Sequence, residues 1–223
     1  MPQWAAIFDW DGVIIDSSRP HLESWELAAK ELGFTLPPDH FKRSFGMKSN
    51  RIIPEILGWA TAPEEIKRIS DRKETLYREL IRKNGIEPLP GVAAWLEQLR
   101  VASIRCAIAS STERANIDCA LSVIGIRDYF DAIVAGDDVT HGKPDPEVFL
   151  VAAQKIGWPP ARCVVFEDAQ VGIEAARAAA MKVVGVGSAH TAASLKNANM
   201  IVERLDRLSV EKLNTWFPKS NVP

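Results

Sequence analysis

Cysteine is scarce in this chain: three among 223 residues, at Cys106, Cys119 and Cys163. A scattered, odd-numbered set excludes a disulfide framework and a CxxC metal site, and it fits buried thiols in a reducing cytosol. An excess of one charge is also missing. Lys and Arg number 27 against 29 Asp and Glu, a formal net charge of -2. Such a balance supplies no strong field for nucleic acid or an acidic membrane. No apolar stretch reaches about 18 residues, so no span is expected. The first residues show no basic-then-apolar leader, so no signal peptide is expected. Internal repeats and low-complexity tracts are absent. Hydrophobic content of 47% and charged content of 25% suit a globular protein with one large domain, or a medium one with an insert.

What is present is a series of short apolar runs: Ala5 to Phe8, Arg105 to Ala109, Ala132 to Ala135, Cys163 to Phe166, Lys182 to Val186 and Met200 to Val202. They do not alternate apolar with polar, which predicts strands buried on both faces of a parallel sheet. Helical spacing fills about Val92 to Arg100, Glu113 to Val123, Pro146 to Ile156 and Val171 to Ala180. The fold class expected is α/β, a Rossmann-like doubly wound parallel sheet. One interval breaks the alternation. From about Arg19 to Asn84 the chain reads as helix only, with apolar faces on Leu22, Trp25, Ala28, Ala29 and Leu32, on Ile52, Ile53, Ile56 and Leu57, and on Ile66, Ile69, Leu76 and Leu80. Breaks at Gly33, Pro37-Pro38, Pro63 and Gly85 divide it into three or four helices. This predicts a small all-helical cap over 17–86, inserted into an α/β core formed by 1–16 and 87–223. The return is the stiff segment Glu87-Pro88-Leu89-Pro90-Gly91, and the tail after Trp216 is expected to fray.

Chemistry concentrates at four strand ends. The first is Asp9-Trp10-Asp11-Gly12, directly after an apolar strand. A strand's carboxyl end is where open α/β sheets bind ligands, and an aspartate there can act as nucleophile or proton carrier. An EF-hand reading fails, because the glycine follows the second Asp directly, Pro20 stands where the bidentate Glu belongs, and a strand precedes the loop. The second is Ser110-Ser111-Thr112-Glu113, readable as a capping box of Ser110 with Glu113 and also as an anion site. The third is Gly142-Lys143-Pro144-Asp145-Pro146, either a solvated turn or a lysine aimed at the acids. The fourth is Glu167-Asp168, where Asp168 either caps the next helix or converges on Asp9 and Asp11. Converging carboxylates need a cation among them. An all-oxygen donor set with no nearby histidine favours Mg²⁺ over zinc.

Four strand-end motifs in the order Asp-x-Asp, Ser, Lys-Pro, Glu-Asp resemble the haloacid dehalogenase-like superfamily, and the resemblance covers nearly the whole chain. The segment from Asp9 through Asp16, Ser17 and His21 to Trp25, with Arg72-Lys73-Glu74-Thr75-Leu76-Tyr77 and Leu89-Pro90-Gly91, is most similar to its β-phosphoglucomutase and sugar-phosphatase branch. The resemblance implies Asp9 as the nucleophile that becomes an aspartyl phosphate, and Asp11 as general acid and then base. It implies Asp9, Asp168 and Glu167 around Mg²⁺, with Asp11 touching the metal only through its backbone carbonyl. Lys143, Ser110 and Ser111 would hold phosphoryl oxygens, and Gly12 would let the backbone approach them. His21, Lys73, Gly46 and Lys48 match cap positions around the substrate, with Arg51 a further candidate.

Two departures bear on the reaction. Phosphomutases of this branch carry a lysine and an asparagine soon after the serine of the second motif, and a basic residue in the cap loop. Here Glu113 and Arg114 follow Thr112, and Phe45 precedes Gly46. A glutamate repels a second phosphate, although Arg114 and Lys48 could compensate. The expectation is a Mg²⁺-dependent phosphatase of a small phosphorylated metabolite such as a sugar phosphate, monomeric and cytoplasmic, with no nucleic-acid or membrane partner. A hexose phosphomutase is the alternative. A carbon–halogen dehalogenase needs neither the metal acids nor Asp11. A silent binding module would not require the complete motif set.

Overall fold

The computed structural model describes residues 2–44, 47–187 and 193–217. Six parallel strands form one sheet: β1 (Ala5–Phe8), β2 (Cys106–Ala109), β3 (Ala132–Val134), β4 (Cys163–Glu167), β5 (Lys182–Val186) and β6 (Met200–Val202). Their spatial order is β3-β2-β1-β4-β5-β6. The chain runs outward from β1 to β3, then returns to the other side of β1 to begin β4. The β1–β4 border is therefore the switch point at which doubly wound sheets form their crevice.

The unbroken apolar runs have the predicted consequence in β1 to β4 and in all of β5 but Lys182, whereas β6, at the sheet edge, is only partly covered and leaves Ile201 exposed. Along β1, Trp4, Ala6 and Phe8 face one core layer while Ala5 and Ile7 face another. Helices α5 (Val92–Val101) and α6 (Arg114–Ile124) cover the first face, and α7 (Glu147–Ile156) and α8 (Gln170–Ala178) the second. Phe8 pairs in register with Phe166 of β4, and their rings stack with centroids 4.6 Å apart. Each such ring contributes roughly 1.5–3 kcal/mol by leaving water. One register step further lie Asp9 and Glu167.

Between β1 and β2 the chain is helical: α1 (Ser18–Leu32), α2 (His40–Ser44), α3 (Ser49–Ile52) and the 22-residue α4 (Pro63–Asn84). Trp25, Ile52, Ile53, Leu57 and Ile69 form a cluster of their own. After α3 the turn Ile53–Leu57 widens to π geometry. Pro54 explains this, since it offers no N–H and its ring crowds the carbonyl four residues back. The lower half of α4 behaves differently from the expected cap helix, because Tyr77 and Ile81 join the main core. Entry to and exit from the insert run side by side: Ile15 bridges Pro88, and the Leu89 N–H donates to the Ile14 carbonyl at 2.8 Å.

At the C-terminal end a short helix α9 (Val210–Asn214) forms, with the Ser209 hydroxyl accepting the Lys212 N–H. Phe217 is buried and stacks on Trp4, and the rest of the tail expected to fray, 218–223, lies outside the described residues. Of the seven tryptophans, Trp4, Trp10, Trp25 and Trp95 lie in the core, and Trp59, Trp158 and Trp216 are half-buried.

Candidate active site

The ends of β1 and β4 bring the predicted acids together. Lys143 reaches them from the loop before α7, donating to Asp9 Oδ1 at 2.7 Å and to Glu167 Oε1 at 2.6 Å. All three side chains are nearly inaccessible. Burial works against the ammonium, but Asp9 and Glu167 outweigh it and hold Lys143 above the ordinary lysine range. The lysine is therefore aimed at the acids and is not a solvated turn residue. Carboxylate oxygens of Asp9, Glu167 and Asp168 lie within 4.8 Å of one another. Burial, then the charges of Asp9 and Glu167, pushes the Asp168 carboxyl up to about 8. Asp168 does not cap α8: the residue preceding that helix is Ala169, whose N–H donates to Glu167 Oε2 at 2.7 Å. Glu167 also lies so close to Gly172 of α8 that a Cβ there would overlap its carboxylate.

Asp11 stands apart from that cluster. The Ser17 and Thr112 hydroxyls donate to its two oxygens in short hydrogen bonds. Burial nevertheless raises its carboxyl above the usual aspartate range. Strand alternation alone would put residues i and i+2 on one side; β1 ends at Phe8, and the tight turn that follows redirects the chain between Asp9 and Asp11. That turn is closed by the Gly12 N–H on the Ile15 carbonyl at 2.8 Å. Gly12 takes φ +80, and a side chain there would collide with the Asp168 carboxylate. Trp10, between the two acids, is buried in the core. Sequence reasoning missed Thr112 and Ser17 as partners of Asp11. The signal available was the pair of hydroxyl clusters, Ser17-Ser18 and Ser110-Ser111-Thr112, beside the acidic and phosphate-loop motifs.

The capping box is a correction. Helix α6 begins at Arg114 with Glu113 as its cap residue, and neither Ser110 nor Glu113 caps it through a side chain. The Ser110 hydroxyl instead accepts the Thr112 N–H at 3.0 Å, and the Arg114 N–H donates to Asp137 across the loop after β3. A partner distant in sequence thus displaced the local cap. Ser110 is buried at the end of β2, beside β1, and Ser111 is half-buried after it. Arg114 is committed elsewhere: its guanidinium donates to Asp138 at 2.5 Å and to the Ile133 carbonyl at 2.8 Å. Glu113 is half-buried, and burial followed by the charge of Glu74 raises its carboxyl.

From the insert, Lys73 on α4 is buried and donates to His21 Nδ1 on α1 at 2.8 Å and to Glu74 at 3.0 Å. The His21 ring stacks on Tyr77. Burial and the Lys73 ammonium lower His21 to about 3, so it is a neutral acceptor. Lys48 reaches across to the core, its ammonium 3.4 Å from the Gly136 carbonyl. Arg51 is exposed and pairs with Glu55 of the π turn that follows α3. Gly46, with Phe45, lies outside the described residues.

A model of the haloacid dehalogenase-like hydrolases matches residues 6–186, which spans every element of this site. The chain belongs to that family. Among its relatives, a chloroplastic 5-amino-6-(5-phospho-D-ribitylamino)uracil phosphatase of Arabidopsis thaliana is 39% identical over 209 residues, covering 92% of this chain. The chain spans only 55% of that relative's length. A fructose-1-phosphate phosphatase of Escherichia coli K12 is 35% identical over 81% of this chain and 94% of its own. A solved β-phosphoglucomutase of Clostridium difficile superposes with a TM-score of 0.82 at 30% identity, covering 97% of both chains. This member of the haloacid dehalogenase-like hydrolases therefore lies in the β-phosphoglucomutase and sugar-phosphatase branch, as its motifs implied. Among its described residues no helix is long and apolar enough to cross a membrane.

Proposed function

We propose that the protein is a Mg²⁺-dependent phosphatase of a small phosphorylated metabolite, a sugar phosphate in the first place. The observation that carries this reading is the division of labour between two acids two residues apart. Asp9 is clamped by Lys143 inside a carboxylate cluster, whereas Asp11 is held off that cluster with a carboxyl that burial keeps easier to protonate.

Buried Asp9 and Glu167 share the Lys143 ammonium, half-buried Asp168 stands beside them, and a hard dication fits this all-oxygen donor set. Asp9, Asp168 and the Asp11 backbone carbonyl would hold it. Glu167, whose oxygens already accept Lys143 and the Ala169 N–H, would hold it through water. When bound, Mg²⁺ supplies neutralisation of the transferring phosphoryl oxygens. Lys143, Ser110 and Ser111 orient the phosphoryl group. The Asp9 carboxylate attacks phosphorus and the ester P–O bond breaks, giving an aspartyl phosphate. Asp11 delivers a proton to the leaving alcohol oxygen. It then takes a proton from the water that cleaves the aspartyl phosphate, so the cycle closes with phosphate released and both acids restored. Residues 17–86 act as a cap over this site, hinged where Ile15 bridges Pro88.

Two contacts favour phosphatase over mutase. Glu113 repels a second phosphate, and Arg114, which could have offset it, is tied to Asp138 and the Ile133 carbonyl. A cytosolic location belongs to the same proposal, supported by three free, buried cysteines, and so does a monomeric state; burial pushes the Cys106 and Cys163 thiols up to about 12.

The test is phosphate release from a panel of sugar phosphates and other small phosphate esters, with Mg²⁺ and with EDTA, for wild type and Asp9→Asn. Mg²⁺-dependent release that falls roughly a thousandfold or more in the variant is expected. Release indifferent to EDTA or to Asp9→Asn would sink the reading. Conversion of β-glucose 1-phosphate in the presence of a bisphosphate, with no phosphate released, would replace it with the mutase.

A further inference from the structure

Glu74 has no place in the chemistry above, yet it is the hub of the largest buried polar network outside the acid cluster among the described residues. Its Oε1 accepts the Ser49 hydroxyl at 2.8 Å and the Lys73 ammonium at 3.0 Å. Its Oε2 accepts the Asn116 side-chain N–H at 2.7 Å. Asn116 in turn accepts Arg78 at 2.8 Å. Lys73, Glu74 and Asn116 are only 2%, 5% and 2% exposed. These bonds join three elements: α3 and α4 of the insert, and α6 of the core, whose first turn follows Thr112.

A buried carboxylate is expensive unless every lone pair is used, and an apolar cluster of similar volume would hold the same helices together at least as well. Here burial opposes the charge, but the Lys73 ammonium, helped by the Ser49 and Asn116 donors, holds the Glu74 carboxyl at about 2. What the polar network adds over packing is direction. Ser49 follows Lys48, the residue that reaches the Gly136 carbonyl, and the Gly136 N–H donates to the carbonyl of Thr112 at 2.8 Å. Thr112 donates to Asp11. A chain of contacts therefore runs from Glu74 through Ser49 and Lys48 to the loop that holds the proton-carrying acid.

We propose that Glu74 is a positioning residue: by tying Ser49 of the insert to Asn116 of the core, it fixes residues 48–52 over the phosphate-binding loop and so sets recognition of the non-phosphate part of the substrate. The assignment rests on the phosphatase reading for its substrate consequence, but not for its structural one.

The experiment compares wild type with Glu74→Gln, which keeps shape and loses charge, and with Ser49→Ala, which removes only the tie to α3. Amide hydrogen exchange over 48–57 is expected to quicken about tenfold in both variants, the size expected for losing a hydrogen bond to a charged group. Exchange in β1 and β4 should not change. With fructose 1-phosphate, KM should rise about tenfold at little-changed kcat, whereas p-nitrophenyl phosphate, which offers little for the insert to read, should be turned over nearly as before. Unchanged exchange over 48–57 in Ser49→Ala would overturn the proposal, as would an equal loss on both esters in a folded variant. A wild type inactive on both esters would count against the phosphatase reading instead, and the exchange comparison would still decide the role of Glu74.

Discussion

His21 and Glu74 show how a single buried residue and its partners contribute to the acid sensitivity of the chain. The ordinary pKa of His21, 6.5, drops to about 3 in the fold, so between those values only the unfolded chain binds its proton. Stability from His21 is therefore lost as pH falls from 6.5 toward 3. Glu74 shifts from an ordinary 4.5 to about 2, so its contribution is present above 4.5 and is lost as pH falls toward 2. Both act in the same direction, whereas Asp168, raised from 3.8 to about 8, gains stability as pH falls through that range. The histidine is therefore read as a difference: the melting midpoint of wild type minus that of His21→Gln should fall from about pH 7 to about pH 4. Melting curves of both proteins followed by circular dichroism would show it, and a difference that stays constant or grows on acidification would contradict the assignment. At this scale the motif acids and Lys143 were legible, because strand ends advertise themselves as an apolar run followed by charge. Thr112, Ser17 and Asn116 were not, because a hydroxyl or amide becomes a partner only when a distant element delivers something to bind.

At the scale of elements, α8 carries the sharpest constraint. Gly172 lies inside the helix, where alanine is worth up to about 1 kcal/mol more than glycine. Its missing Cβ, however, is the space the Glu167 carboxylate occupies. Overpacking a filled core costs about 1–3 kcal/mol, so the clash wins over the helix preference. Gly172→Ala should lower stability by about 1–2 kcal/mol net and disturb the Lys143–Glu167 pair. Urea denaturation together with the phosphatase assay would measure both. A variant more stable than wild type and fully active would show that Glu167 moves aside freely. The strands were readable to within a residue or so, since both-face burial leaves only apolar side chains. The start of α6 was read to within one residue, but its expected capping box does not form, because Asp137, after the next strand, supplies the first-turn partner. The π turn after α3 needed Pro54 to be read as a distortion of a helix as well as its boundary.

For the whole molecule, helical spacing announced the insert, but its dependence on the core was hidden until Tyr77 and Ile81 were seen in the main cluster. Its own cluster holds five buried apolar residues. A fragment of about 70 residues rarely stabilises itself on so small a core. Residues 17–86 expressed alone should show helical far-ultraviolet dichroism without fixed near-ultraviolet signals or a cooperative melt. A sharp melt of that fragment would show the insert to be self-sufficient. The strand order, too, could not be read from the runs themselves, because nothing in an apolar run names its neighbour.

That order has a consequence in time. The strand leading into Asp9 is flanked by β2 and β4, and its partner Phe166 lies far along the chain from Phe8. At typical synthesis speeds the ribosome needs roughly ten to thirty seconds to travel from one to the other. Throughout that interval Asp9 exists without Lys143, Glu167 or Asp168, attached to an apolar strand with nothing on one side. A nascent chain of this protein thus carries an apolar strand early and completes its acid–lysine cluster late, so a product truncated before β4 is expected to lack the proposed phosphatase activity.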